Sequence, residues 1–158
     1  MQKEPSINKE HFLDCLTYFP KNFLQIFPDN YKESDGWKLS IQGRNLSDVR
    51  FLSDRLYDYL LNRDISFKAI TAKGLKMTKI KDTPHRREQI HKVLTIYCPR
   101  DTDLDELCHS VRDRITEYRG HCGLPAPTAY KHFSGGIFIR NDRGEDGRYV
   151  STKQHITN

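Results

Sequence analysis

The stretches Trp37-Lys38-Leu39-Ser40-Ile41 and Ile65-Ser66-Phe67-Lys68-Ala69-Ile70 decide the reading of this chain. Both read as strands of one sheet, and the residues between them read as a helix. Each strand carries a lysine inside an apolar run. An ammonium so placed costs free energy unless it reaches water, an anion or a carboxylate. Two readings follow: the lysines snorkel from edge strands, or both open into one cationic pocket.

In the linking helix, Asn45 or Ser47 is the cap, and Val49, Leu52, Leu56, Tyr59 and Leu60 recur at spacings of three and four that make one apolar face. Asn62-Arg63-Asp64 closes it. Upstream, Asp35-Gly36 marks a turn, and residues 8–19 form a shorter helix with Phe12, Leu13, Leu16 and Phe19 on one stripe until Pro20 stops it. Phe23, Leu24, Ile26 and Phe27 then make an apolar segment suited to packing on a core or docking on a partner.

Downstream, Lys73, Lys76, Lys79, Lys81, His85, Arg86 and Arg87 crowd residues 72–91, which read as a basic loop. Val93-Leu94-Thr95-Ile96-Tyr97 is a third strand, stopped by Cys98-Pro99. An amphipathic helix follows, capped by Asp101 or Thr102, with Leu104, Leu107, Val111, Ile115 and Tyr118 as its buried stripe. Ser134-Gly135-Gly136 introduces the strand Ile137-Phe138-Ile139-Arg140, and residues 141–147 read as a hairpin turn before Arg148-Tyr149-Val150. This order predicts an α+β fold: a single small mixed or antiparallel sheet with helices packed mainly on one face. The expected organisation is a helical and aromatic docking segment over 1–34, an α+β domain over 35–150 and a polar tail over 151–158.

Composition narrows the partners. Among 158 residues, 26 Lys and Arg stand against 21 Asp and Glu, a net charge of +5, and the isoelectric point is about 9.0. Such a surface favours an anionic partner, with phosphopeptide, nucleic acid and acidic membrane all open on charge alone. Cys15, Cys98, Cys108 and Cys122 form no C-x-x-C pair and no zinc-type spacing with histidine, so neither a metal site nor a redox dithiol is expected. Met1-Gln2-Lys3-Glu4-Pro5 lacks the layout of a signal peptide, and no apolar run approaches ~20 residues. The expectation is a cytoplasmic chain that does not span a membrane.

If Lys38, Lys68, Arg87 and Lys92 converge, they would hold a dianionic group through charge-assisted hydrogen bonds. Convergence also lowers a lysine's pKa, and a neutral amine can act as a general base near pH 7. That combination suits β-elimination: a base takes the Cα proton of a phosphoserine or phosphothreonine while phosphate leaves from Cβ, with no metal or other cofactor. The competing reading is a solvated basic face that binds any polyanion.

The succession Gly36-Trp37-Lys38-Leu39-Ser40, Ser66-Phe67-Lys68, Arg87, Lys92-Val93-Leu94-Thr95-Ile96-Tyr97-Cys98-Pro99 and Tyr130-Lys131-His132-Phe133-Ser134-Gly135-Gly136 spans nearly the whole chain. In that order it resembles the lyase domain of class III and IV lanthipeptide synthetases, which is related to bacterial effector phosphothreonine lyases. The resemblance implies Lys68 as the general base, Lys38 as its support, and Arg87 and Lys92 as phosphate ligands. Lys131 stands where the family has an arginine. Ser40 stands where the family has its acid histidine, and a hydroxyl cannot supply a proton at neutral pH as an imidazolium can. His132 is the first substitute acid, with His85 and His91 behind it. The implied partners are a phosphorylated or precursor peptide and the kinase and cyclase domains of a larger synthetase. No kinase signature is present, so the chain reads as a free-standing lyase or an excised domain. Two alternatives stay open: a lyase-like module that binds a phosphorylated or acidic peptide without turnover, and a basic nucleic-acid binder in which Phe67, Tyr97 and Phe138 stack on bases.

Overall fold

The computed structural model describes residues 8–80, 91–127 and 129–142. Their elements run α1 (Lys9–Tyr18), β1 (Phe23–Ile26), β2 (Ser34–Gln42), α2 (Leu46–Asn62), β3 (Phe67–Ile70), α3 (Ala72–Ile80), β4 (Lys92–Pro99), α4 (Leu104–Arg114), β5 (Lys131–Ser134) and β6 (Ile137–Asn141). The six strands make one antiparallel sheet in the order β1-β3-β4-β2-β6-β5.

Short polar side chains start the helices. Asn8 accepts from the His11 N–H at 2.8 Å to open α1, and Asn45 accepts from the Asp48 N–H at 3.0 Å to open α2. Each bond satisfies a donor that the first turn leaves unpaired. For α4 the cap is Asp103, which accepts from Asp105 and Glu106, one or two residues past the expected start. The shift has a cause: Asp101 is taken by Lys32 at 3.0 Å, and the Thr102 N–H closes a turn onto the Pro99 carbonyl.

Two segments depart from the sequence reading. Residues 72–80 form α3 rather than a loop, because Thr71 caps it: its hydroxyl accepts from the Gly74 N–H and its carbonyl from the Leu75 N–H. The lysines had masked a weak helical pattern, and a threonine at the end of a strand gave no separate signal. The rest of the expected loop, 81–90, lies outside the described residues. Phe23–Ile26 becomes the edge strand β1, paired with β3. Its Leu24 faces the core and its Phe23 and Gln25 face the other way, so residues 8–26 share the main body rather than standing apart from it. Likewise β6 pairs on its outer side with β5 through Gly135, which takes φ +53° at the turn. The expected partner, 148–150, lies outside the described residues.

Strand alternation divides the sheet into two faces. Leu39, Ile41, Phe67, Ala69, Leu94, Ile96 and Ile137 point to one face and meet Phe12 and Leu16 of α1, Val49, Leu52, Leu56 and Leu60 of α2, and Leu107 and Val111 of α4. Phe12 packs on Phe67 and Tyr57 with ring centroids 5.5 Å apart in each pair. The α+β class with helices gathered on one side is as expected from the element order. The opposite face carries the chemistry.

Candidate active site on the open face of the sheet

One row of register partners crosses all six strands on that face: Gln25, Lys68, Thr95, Ser40, Phe138 and His132. A second row alongside it holds Tyr97, Lys38 and Arg140. On the other side, Gln42 pairs with Lys92. Lys92 reaches this face because of a register shift. Ile41 pairs with Leu94 and Gln42 with Lys92, so Val93 is extra, and both Val93 and Leu94 join the core. Uninterrupted alternation would have put Lys92 on the same side as Leu94 and Ile96; the bulge turns it round.

The cations are held in different ways. Lys38 Nζ lies 3.1 Å from Asp142 Oδ2, and Arg140 Nε lies 3.1 Å from Asp142 Oδ1. The three side chains are 12%, 2% and 16% exposed for Lys38, Arg140 and Asp142, so this is a largely buried charge network. Lys68 Nζ sits 4.6 Å from the centroid of the Phe23 ring, a contact that favours the ammonium. Lys92 Nζ donates to Tyr130 Oη at 3.3 Å, and Tyr130 is itself buried.

Burial and mutual repulsion set the protonation. Burial first, then the nearby Lys38, pushes the Lys68 pKa down, while Asp142 pulls it back up. Lys92 falls to about 6, through burial and then the fields of Lys38, Lys68 and Arg140, again opposed by Asp142. Lys92 is therefore largely a neutral amine at pH 7 in the free protein.

Two hydroxyls form the floor between these groups. Ser40 and Thr95 are neighbours across β2 and β4, 2% and 1% exposed, and neither Oγ of Ser40 nor Oγ1 of Thr95 has a hydrogen-bond partner among the described residues. A buried hydroxyl without a partner typically costs about 1–3 kcal/mol. Each can donate one hydrogen bond to an acceptor oxygen.

Of the residues expected to act together, Lys38, Lys68, Lys92 and the Ser40 position do converge. Lys131 does not. It pairs with Ile139, which shares the face of Leu39, so its exposed side chain leaves on the helix side. His132 shares the open face but stands four strands from Lys68, about 19 Å at usual strand spacing. Its Nε2 is 2.8 Å from the Gly135 carbonyl and its ring lies against Phe138. From Ser40 it stands two strands away, about 10 Å at usual strand spacing, so His132 is not brought beside Ser40 or Lys68. Arg87 and His85 lie outside the described residues, and His91 is in the turn ahead of β4. Phe67 and Phe138, considered as base-stacking residues, are 0% and 4% exposed.

The sequence reading missed Arg140, Asp142 and Tyr130. Arg140 was legible: it shares parity with Phe138 and follows three apolar residues in its strand. Asp142 and Tyr130 lie just past and just before strands, where alternation carries no information.

Asp142→Asn is expected to lower stability on the order of 3 kcal/mol, because it leaves Lys38 and Arg140 as neighbouring buried cations. Urea denaturation at pH 7 measures it. The same change removes a carboxylate that supports the Lys92 ammonium, moving its pKa further down.

No group of three or more His, Cys, Asp or Glu side chains that could hold a metal ion occurs among the described residues. A separate cleft of about 310 Å3 lies near His121, Cys122 and the β5–β6 turn, and shares no residue with the lysine cluster. No helix among the described residues is long and apolar enough to cross a membrane.

A family model described as the N-terminal domain of RamC matches residues 21–140. The chain belongs to this family. RamC is a lanthipeptide-related synthetase protein. The match to the RamC N-terminal domain takes in Lys38, Ser40, Lys68, Lys92, Thr95, Tyr130 and Arg140, and stops just short of Asp142. No curated protein matches the chain.

Proposed function

We propose that this RamC-type domain eliminates phosphate from phosphoserine or phosphothreonine in a precursor peptide, leaving a dehydroamino acid. The observation that carries the reading is the pair of unpartnered hydroxyls, Ser40 and Thr95, ringed by Lys38, Lys68, Lys92 and Arg140. Among the described residues, Lys38, Lys68 and Arg140 outweigh Asp142, an excess of positive charge that suits a phosphodianion. The hydroxyls donate to its oxygens from below, and Lys38 and Arg140 approach it from one side.

Lys68, one strand from Thr95, then lies beside the phosphate rather than under it. That is where the Cα of a phosphorylated residue would stand. Burial and the nearby Lys38 push its pKa down, which enlarges the neutral fraction of the amine, the form that takes a proton. The Cα–H electron pair becomes the Cα=Cβ bond, and the Cβ–O pair leaves with phosphate. The lanthipeptide-related family fits this reading, under which a precursor peptide would be the substrate and kinase and cyclase activities the partners.

The test is mass spectrometry of a phosphothreonine peptide incubated with the protein. Loss of phosphoric acid is the expected result; a peptide unchanged by excess protein overturns it. Ser40 favours a second reading, a module that binds phosphopeptide without turnover. Saturable binding of the same peptide with no mass change would select it.

A further inference from the structure

With Ser40 in place of an imidazole, the departing phosphate oxygen still requires a proton. We propose that Lys92, held by Tyr130, donates that proton, and that the arriving phosphodianion itself charges Lys92 for the task. This inference rests on the elimination reading of the same site.

The geometry is set by the bulge at Val93, which brings Lys92 onto the face of Ser40 and Thr95 from the side opposite Lys38 and Arg140. Lys92 is 9% exposed, the most buried of the three lysines, and its Nζ is fixed on Tyr130 Oη at 3.3 Å. Among the described residues, the groups that act on it include Lys38 from β2, Lys68 from β3, Arg140 from β6 and Asp142 just beyond, with the Tyr130 phenol from the segment before β5. In the free site these hold the amine at a pKa of about 6. A dianion over the Ser40–Thr95 floor reverses the field. One unit charge at about 4 Å in a partly buried site moves an amine by roughly three pH units, so two negative charges suffice to protonate Lys92 at pH 7.

Lys68 keeps the complementary role. It lies towards β1, over Phe23, on the side away from Arg140. In the reaction, the neutral fraction of Lys68 accepts the Cα proton, the C–H pair forms the double bond, the Cβ–O bond breaks, and the Lys92 ammonium protonates the released oxygen to give HPO4²⁻. Lys68 ends charged and Lys92 neutral. Lys68 loses its proton to water, and Lys92 takes one from water when the next phosphodianion binds, so the cycle closes without a net proton.

The experiment is calorimetric titration with sulfate, which stays dianionic from pH 5 to 9, in buffers of different ionisation enthalpy. Wild-type protein should take up close to one proton per sulfate at pH 7.5 and less below pH 6. Lys92→Met and Lys92→Gln should bind sulfate without that uptake, Lys68→Met should retain it, and the Lys92 variants should dehydrate phosphothreonine peptide about 10²–10⁴-fold more slowly. Tyr130→Phe should shift the pH at which uptake is half lost. Sulfate bound without proton uptake by wild type, or uptake that persists in both Lys92 variants, overturns the proposal and leaves the anion site standing. Failure of wild-type protein to bind sulfate at all would instead remove the site reading beneath it.

Discussion

Lys68→Met is expected to reduce elimination from a phosphothreonine peptide by about 10²–10⁴-fold while leaving the protein folded and able to bind sulfate. The substitution removes the amine and keeps most of the side chain's volume over Phe23, so packing against β1 survives. The anion floor survives too, because Ser40, Thr95, Lys38 and Arg140 belong to other strands. Loss of turnover with retained binding is therefore specific to a base. The activity of the wild-type protein should rise with pH as Lys68 loses its proton, at lower pH than for an ordinary lysine because burial and Lys38 depress its pKa. Dehydration of the peptide at the wild-type rate by Lys68→Met would remove Lys68 from the chemistry.

Lys92→Met is expected to stabilise the ligand-free protein by a few kcal/mol at pH 7, an effect in the opposite direction from that on activity. Lys92 has a folded pKa of about 6 against an ordinary value of 10.5. Between those values the unfolded chain binds the extra proton, so wild-type stability rises as pH climbs from 6 towards 10. Below pH 6 the lysine is protonated in both states and the fold bears the full charge burial. At about 1.4 kcal/mol per pH unit, neutralising the amine at pH 7 costs several kcal/mol. Loss of the Tyr130 hydrogen bond returns about 1–3 kcal/mol of that, which leaves a net gain. Urea denaturation from pH 6 to 9 should show a rising midpoint for wild type and a flatter, higher profile for the variant. A variant that is less stable, with the wild-type slope intact, would contradict the assignment.

The α+β class and the two lysine strands were legible in the sequence because strand alternation and helical spacing are local signals. Lys38 and Lys68 could be paired as neighbours of a common site for the same reason: each interrupts an apolar run at the parity that faces away from the core. The rest depended on long-range geometry. Lys131 and His132 are adjacent in sequence, and alternation alone sends one of them to the wrong face. Lys92 shows the converse, since only the extra residue at Val93 turns it towards the site. Asp142 organises Lys38 and Arg140 from a turn, where no periodicity announces it. The helix α3 was hidden because its cap, Thr71, ends a strand and its surface is basic.

The row running from Gln25 through Lys68, Thr95, Ser40 and Phe138 to His132 draws one residue from every strand, in an order unrelated to the order of synthesis. No contiguous piece of the chain contains the anion floor and its cations together. The site therefore requires β2, β3, β4 and β6 to be paired together, and a bound dianion stabilises that arrangement as a whole. Added sulfate should protect amide hydrogens in strands outside the site, such as β1 and β5, from exchange by a common factor if the sheet opens as one cooperative unit.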